Sequence, residues 1–243
     1  MGIWGKILGG AVGFAIGGPL GALVGAAAGH AYDRRRGEPR TGGPDETKQT
    51  AFAIAVIVLS AKMAKADGTV TRDEIAAFRE VFHIPPDEMK NVGRLFDQSR
   101  KDATGYEPYA EQVARMFQQN PTVLEELLGG LFHIARADGI VHPAEISFLE
   151  DVAQIFGLDE TTFERLRAAH VGAAKSDPYA VLGIAHDATD AEVRTTWRKL
   201  TREHHPDTLI AQGMPQDFVD VATDEMATIN EAYDRIAKQR GMN

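Results

Sequence analysis

The chain has 243 residues, 44% hydrophobic and 25% charged, with a formal net charge of −9. That suits one or two globular domains with a real core, and the acidic balance argues against general nucleic-acid binding. There is no cysteine, which excludes a disulfide, a thiolate zinc site and a cysteine nucleophile and is consistent with a reducing compartment.

The N-terminal stretch differs from the rest. From Ile7 to His30 there is no Asp, Glu, Lys or Arg, and Gly5, Gly9, Gly13, Gly17, Gly21, Gly25 and Gly29 recur every fourth residue. On a helix that spacing forms one smooth ridge, and in lipid such a ridge lets two backbones approach closely. A helix from Ile7 to Gly29 would span roughly 34 Å, enough for a bilayer core. Arg34, Arg35, Arg36 and Arg40 follow it, against Lys6 alone on the other side, so the positive-inside rule puts the C-terminal bulk in the cytoplasm. The preferred reading of residues 1–32 is a single-pass transmembrane anchor in the inner membrane of a bacterium. Its ridge of Gly9, Gly13, Gly17, Gly21 and Gly25 would pair two copies into a homodimer. Three other readings stand beside it. A signal peptide could end near Ala26-Ala27-Ala28, although the apolar stretch is longer than a usual signal core. A flexible leader would suit glycine's poor helix propensity in water, and an interfacial segment would suit Pro19.

Residues 33–46, rich in Arg, Gly and Pro, read as a linker. The run Gln49 to Ala66 borders on a second membrane span, but Lys62 and Lys65 close it and an Asp-Gly turn follows, so it reads as a buried core helix. The middle of the chain repeats itself. Residues 64–75 align with residues 135–146 at an offset of 71, with seven of twelve positions identical. Each copy reads as helix, Asp-Gly turn, short link and new helix. Thr71 with Glu74 has capping-box spacing, and Pro143 suits a helix start. With Pro85-Pro86-Asp87, Gly105 and Asn120-Pro121 as further breaks, residues 47–172 form an all-α domain of about seven helices with pseudo-twofold symmetry.

The turn Asp-Gly-x-Val-x-x-x-Glu invites comparison with a calcium loop. Its first and third ligand positions would be Met63 and Lys65, or Ile134 and Arg136, which cannot serve a hard cation. Helix capping by the Asp and Glu residues is therefore preferred. A metal cluster of Asp67, Glu74, Asp138 and Glu145 across the pseudo-twofold axis is the less favoured alternative.

Residues 176–243 form the last unit. Thr189 and Glu192 mark a helix start, and Val193, Trp197, Leu200 and His204 fall within about 60° of one another on it. Arg194, Arg198 and Arg202 lie one turn apart on another face, with Lys199 beside them. This unit has 12 acidic and 7 basic residues, and four of the seven sit on this helix. Pro206 ends it, because proline restricts the residue before it and lacks the amide a helix needs. Met226, Ile229, Ala232-Tyr233 and Ile236 then give the stripe of a second long helix.

Asp177-Pro178-Tyr179-Ala180-Val181-Leu182-Gly183, the aromatic-Arg-Lys-Leu at Trp197 to Leu200, His205-Pro206-Asp207 and Ile229 to Tyr233 together resemble the J-domain of DnaJ-type co-chaperones. The resemblance implies two antiparallel helices joined by a loop that presents the tripeptide. It also implies that His205, Pro206 and Asp207 signal to a DnaK-type ATPase while Arg194, Arg198, Lys199 and Arg202 dock on it. Thr208 stands where that family often has lysine, and Trp197 where it often has tyrosine. The doubled middle pattern resembles the TerB domain of tellurite-resistance proteins, a family in which metal association has been suspected. Glycine-rich anchor, TerB-like domain and terminal J-domain, in that order, resemble the membrane-anchored J-domain co-chaperones of the DjlA type in Gram-negative bacteria. No nucleophile or carboxylate pair accompanies His205, so the chain reads as a non-enzyme without a cofactor. The expected function is stimulation of a cytoplasmic DnaK-type ATPase at the inner membrane. The alternative is a membrane-anchored stress or metal-response scaffold with a vestigial J-domain.

Overall fold

The computed structural model describes residues 18–22, 44–66, 72–81, 84–86, 88–101, 105–171 and 176–242, and among them the fold is all-α. Of the glycine-rich stretch, only Gly18 to Ala22 is described. It is a helical turn in which the Leu20 amide donates to Gln112 Oε1 at 3.0 Å and the Leu20 side chain is buried. The continuous helix expected from Ile7 to Gly29 otherwise lies outside the described residues. So do the side chains of Asp67, Thr71 and Glu74.

Seven helices follow: α1 (Pro44–Ala66), α2 (Arg72–Val81), α3 (Met89–Lys101), α4 (Glu107–Phe117), α5 (Pro121–Ala135), α6 (Pro143–Phe156) and α7 (Glu160–His170). Helix α1 is the axis of the bundle. Every side chain from Thr50 to Ala64 is buried, and α3, α4, α5 and α6 all pack on it. A helix apolar around its whole circumference needs such a complete jacket. No helix among the described residues is long and apolar enough to cross a membrane, which agrees with reading this run as core. The helix starts three residues inside the expected linker. Proline's fixed φ is compatible with a first helical turn, so Pro44 opens the helix instead of delaying it.

The internal repeat has a structural counterpart. Helix α1 packs on both α5 and α6, while α5 packs in turn on α2, the reciprocal exchange that a pseudo-twofold axis requires. In the second copy Gly139 has φ +89°, a left-handed conformation that glycine adopts without strain. Asp138 Oδ1 accepts the Ile140 amide at 3.0 Å, and Glu145 accepts the His142 amide at 2.8 Å to cap α6. Glu145 thus caps α6, whereas Asp138 closes the turn itself rather than a helix end. No group of side chains suited to hold a metal occurs among the described residues.

The C-terminal unit comprises α8 (Pro178–Leu182), α9 (Asp190–Glu203), α10 (Pro206–Ala211) and α11 (Val219–Arg240). Helices α9 and α11 run antiparallel, shown by the reversed order of their contacts. Asp190 at the start of α9 meets Arg240 at the end of α11 at 3.2 Å. Mid-helix, Trp197 stacks on Tyr233 at 4.3 Å between centroids, and its indole N–H donates to Asn230 at 2.9 Å. Arg240 also donates to the Tyr179 hydroxyl at 2.7 Å and to the His186 carbonyl at 2.8 Å, fastening α8 and the following loop.

The two units share a core that neither sequence pattern reveals. Leu209, Met214, Phe218, Val221 and Ala222 belong to the same apolar cluster as Phe52 and Phe117. Phe52 meets Phe117 and Phe218 edge to face, at 6.1 and 4.8 Å. Truncating such a fully enclosed ring removes buried area and leaves a cavity. Phe52→Ala should lower the unfolding free energy by about 3–5 kcal/mol in urea denaturation. A loss below about 1 kcal/mol would mean that this three-ring junction is not an organising part of the core.

Candidate functional site

The site grows from helix α9 and the bend after it. Thr189 caps α9 through a reciprocal pair: the Glu192 amide donates to Thr189 Oγ1 at 3.3 Å, and the Thr189 amide donates to Glu192 Oε2 at 2.6 Å. One face of α9 turns inward with Val193 and Leu200 buried. On the outer face Arg198, Lys199 and Arg202 are exposed, and Arg194 is half-buried. Lys199 lies 4.0 Å from Glu203, one turn on. In water this pair is weak, so most of the positive field of the face remains available to a partner.

The helix ends at Glu203, as the following proline requires. Pro206 does more than end it, because it also occupies the first turn of α10, where a missing amide costs nothing. His205 is the N-cap, its Nδ1 accepting the Asp207 amide at 3.2 Å. An accepting Nδ1 leaves Nε2 as the ring's donor. The side chains of His205 and Asp207 are 49% and 90% exposed. The tripeptide is thus an open arch that follows directly on α9, whose exposed side chains include Arg198, Lys199 and Arg202.

Beneath the arch lies a constellation that sequence reasoning missed. His204 is 1% exposed, with Nδ1 at 2.6 Å from Glu126 Oε1 and Nε2 at 3.5 Å from Glu125 Oε2. Arg165 from α7 binds Glu125 on one side and Glu225 of α11 at 2.8 Å on the other. His170 stands 3.2 Å from the same Glu225 and stacks on Phe132. Periodicity correctly placed His204 on the inward face but grouped it with apolar neighbours. The signal was in the partners: Glu126, Arg165 and Glu225 are charged residues at core-facing helical positions, which rarely occur without mutual pairing.

Burial alone would depress His204, but its hydrogen bonds to Glu125 and Glu126 win and raise it from 6.5 to about 9. Burial would raise Glu125 and Glu225. The hydrogen bond from His204 and the charge of Arg165 hold Glu125 below the ordinary 4.5, and His170 at 3.2 Å, together with the charge of Arg165, holds Glu225 far below it. At Glu126 burial prevails and the carboxyl is pushed up. Arg165 and His204 thus stand among three carboxyl groups, Glu125, Glu126 and Glu225.

These shifts fix a pH dependence. Stability from His204 is complete below pH about 6.5 and is lost as pH climbs through about 9, and the raised Glu126 acts in the same sense. Stability from Glu125 and Glu225 is present above pH about 4.5 and is lost in acid. The unfolding free energy should therefore fall between pH 7 and 9.5, by an amount on the order of 3 kcal/mol or less. His204→Gln should flatten that limb of the profile. An unchanged alkaline limb in the variant would remove His204 as its source.

Comparison with known proteins adds three family matches. Residues 1–43 match the co-chaperone DjlA transmembrane domain, residues 53–168 the tellurite resistance protein TerB, and residues 177–240 the DnaJ domain. A co-chaperone protein DjlA from Shewanella oneidensis is 33% identical across 100% of both chains. Another from Aliivibrio fischeri is 33% identical, again over 100% of both, and one from Photobacterium profundum is 29% identical over 98% of this chain and 99% of that one. No solved structure matches the chain.

Proposed function

Because the chain belongs to the co-chaperone DjlA family, we propose that it stimulates ATP hydrolysis by a DnaK-type chaperone at the bacterial inner membrane. The observation that carries this reading is the open His205-Pro206-Asp207 arch, capped into a defined shape and flanked by exposed Arg198, Lys199 and Arg202. Such a face suits an acidic partner surface and mainly sets encounter rate and orientation. The capped tripeptide is the stereospecific element. It makes no bond and supplies no reactive group, so the chain regulates hydrolysis performed by another protein.

Two variants separate these roles in a steady-state ATPase assay with a bacterial DnaK. His205→Gln should bring stimulation down to the unstimulated rate with the fold intact, because the side chain is exposed. Arg198→Ala with Arg202→Ala should keep the plateau while raising the half-saturating concentration roughly tenfold, with a weaker salt dependence. Equal hydrolysis with and without the wild-type protein would defeat the reading.

The anchor follows from residues 1–43, with the C-terminal bulk on the cytoplasmic side because Arg34, Arg35, Arg36 and Arg40 flank the glycine-rich stretch there. Crossing a bilayer requires the Gly18–Ala22 turn to leave Gln112 and Leu20 to exchange the protein core for lipid, which exchanges one apolar surrounding for another. The ridge of Gly9, Gly13, Gly17, Gly21 and Gly25 would then join two copies. Gly13→Ile with Gly17→Ile should abolish crosslinked dimers in membranes while leaving the protein in the membrane fraction. Undiminished dimer would exclude the ridge as the contact.

A further inference from the structure

His205 to Thr208 is a short exposed arch with both of its ends held by the helical bundle of residues 44–170. Before it, His204 is sunk between Glu125 and Glu126 of α5, and Arg165 closes the cluster by linking Glu125 to Glu225. After it, the chain enters the bundle's apolar core: Leu209 and Met214 are fully buried, and Phe218 packs edge to face on Phe52 at 4.8 Å. Gly213, at φ +107°, lets the backbone pass so close that an added Cβ would meet Lys48 and Phe117 at 3.3 and 3.4 Å. Asn120 at the start of α5 donates to the Gln212 carbonyl at 3.4 Å.

The two fixings are chemically independent, one ionic and one apolar, and both belong to the TerB-type unit. A loop tied only to its own hairpin would sample many shapes, and each would reduce the fraction competent to dock. From this geometry we infer that Glu126 and Phe52 are positioning residues for ATPase stimulation: acting through His204 and Phe218, they fix the arch that the chaperone meets. The TerB-type unit thereby becomes part of the signalling surface. The inference rests on the co-chaperone reading above.

The experiment uses the full chain in detergent micelles, titrated against a bacterial DnaK while ATP hydrolysis is followed. Glu126→Gln should raise the half-saturating concentration about five- to tenfold while leaving the plateau within twofold, because the competent fraction falls and the docked geometry does not change. Glu126→Gln with His204→Gln restores a neutral pair and should be no worse than the single variant, a coupling that unrelated sites would not show. Folded variants with wild-type half-saturation would overturn the inference, as would independent multiplication of the two effects. A wild-type chain that fails to stimulate would instead defeat the underlying reading. Should Glu126→Gln not fold, the wild-type background decides. The chain has no cysteine, so Glu150→Cys with Ala211→Cys places two spin labels, one on the bundle and one on α10. A single narrow distance distribution supports the fixed arch, and a broad or multiple one overturns it.

Discussion

The arrangement depends on one buried guanidinium. Arg165 reaches Glu125 from its own bundle and Glu225 from the terminal hairpin, and its Nη2 lies 3.4 Å from His204. Removing so many charged groups from water is costly unless each meets an opposite charge and a hydrogen-bond partner. Here Arg165 pairs with Glu125 and Glu225, and His204 with Glu125 and Glu126. The cluster therefore ties α5, α7, α11 and the end of α9 together. Apolar packing between Phe52 and Phe218 is less exacting about angle but adds area. The ionic junction specifies the seat of the hairpin, and the aromatic one gives it bulk.

This seat accounts for the contrast between His204 and His205. Adjacent histidines point to opposite sides of the chain at the end of α9, one into the charge cluster and one toward solvent. With its neighbour held, His205 is free to cap α10, with Nε2 left as its donor. Proline at 206 makes the reversal compact, because the same residue forbids continuation of α9 and suits the first turn of α10. The exposed signal thus derives its shape from a buried neighbour.

Much of this was legible in the sequence where local rules govern. The all-round apolar run of α1, the reciprocal capping of Thr189 with Glu192, the proline opening α6, and the stripe pairing Trp197 with Tyr233 all follow from propensity and period. The comparisons agree with the resemblance of the terminal unit to J-domains. Two features were not legible. Period gives the direction of His204 but not the chemistry it meets, since Glu126, Arg165 and Glu225 come from 21 to 78 residues away. Likewise Leu209, Met214 and Phe218 occupy a stretch with no clean period, because they are buried against other helices rather than along one of their own. Pro206 was read only as the end of α9 when it also opens α10, which reflects the two-sided role of proline at a first turn.

One surface carries the proposed signal, the basic face of α9 together with the arch that α10 begins. Hydrogen exchange of the full chain, alone and with an ATP-bound bacterial DnaK, tests it most directly. Protection confined to α9 and the amides of residues 205–208 is the predicted result. Protection elsewhere that leaves these residues exchanging as in the free chain would contradict it.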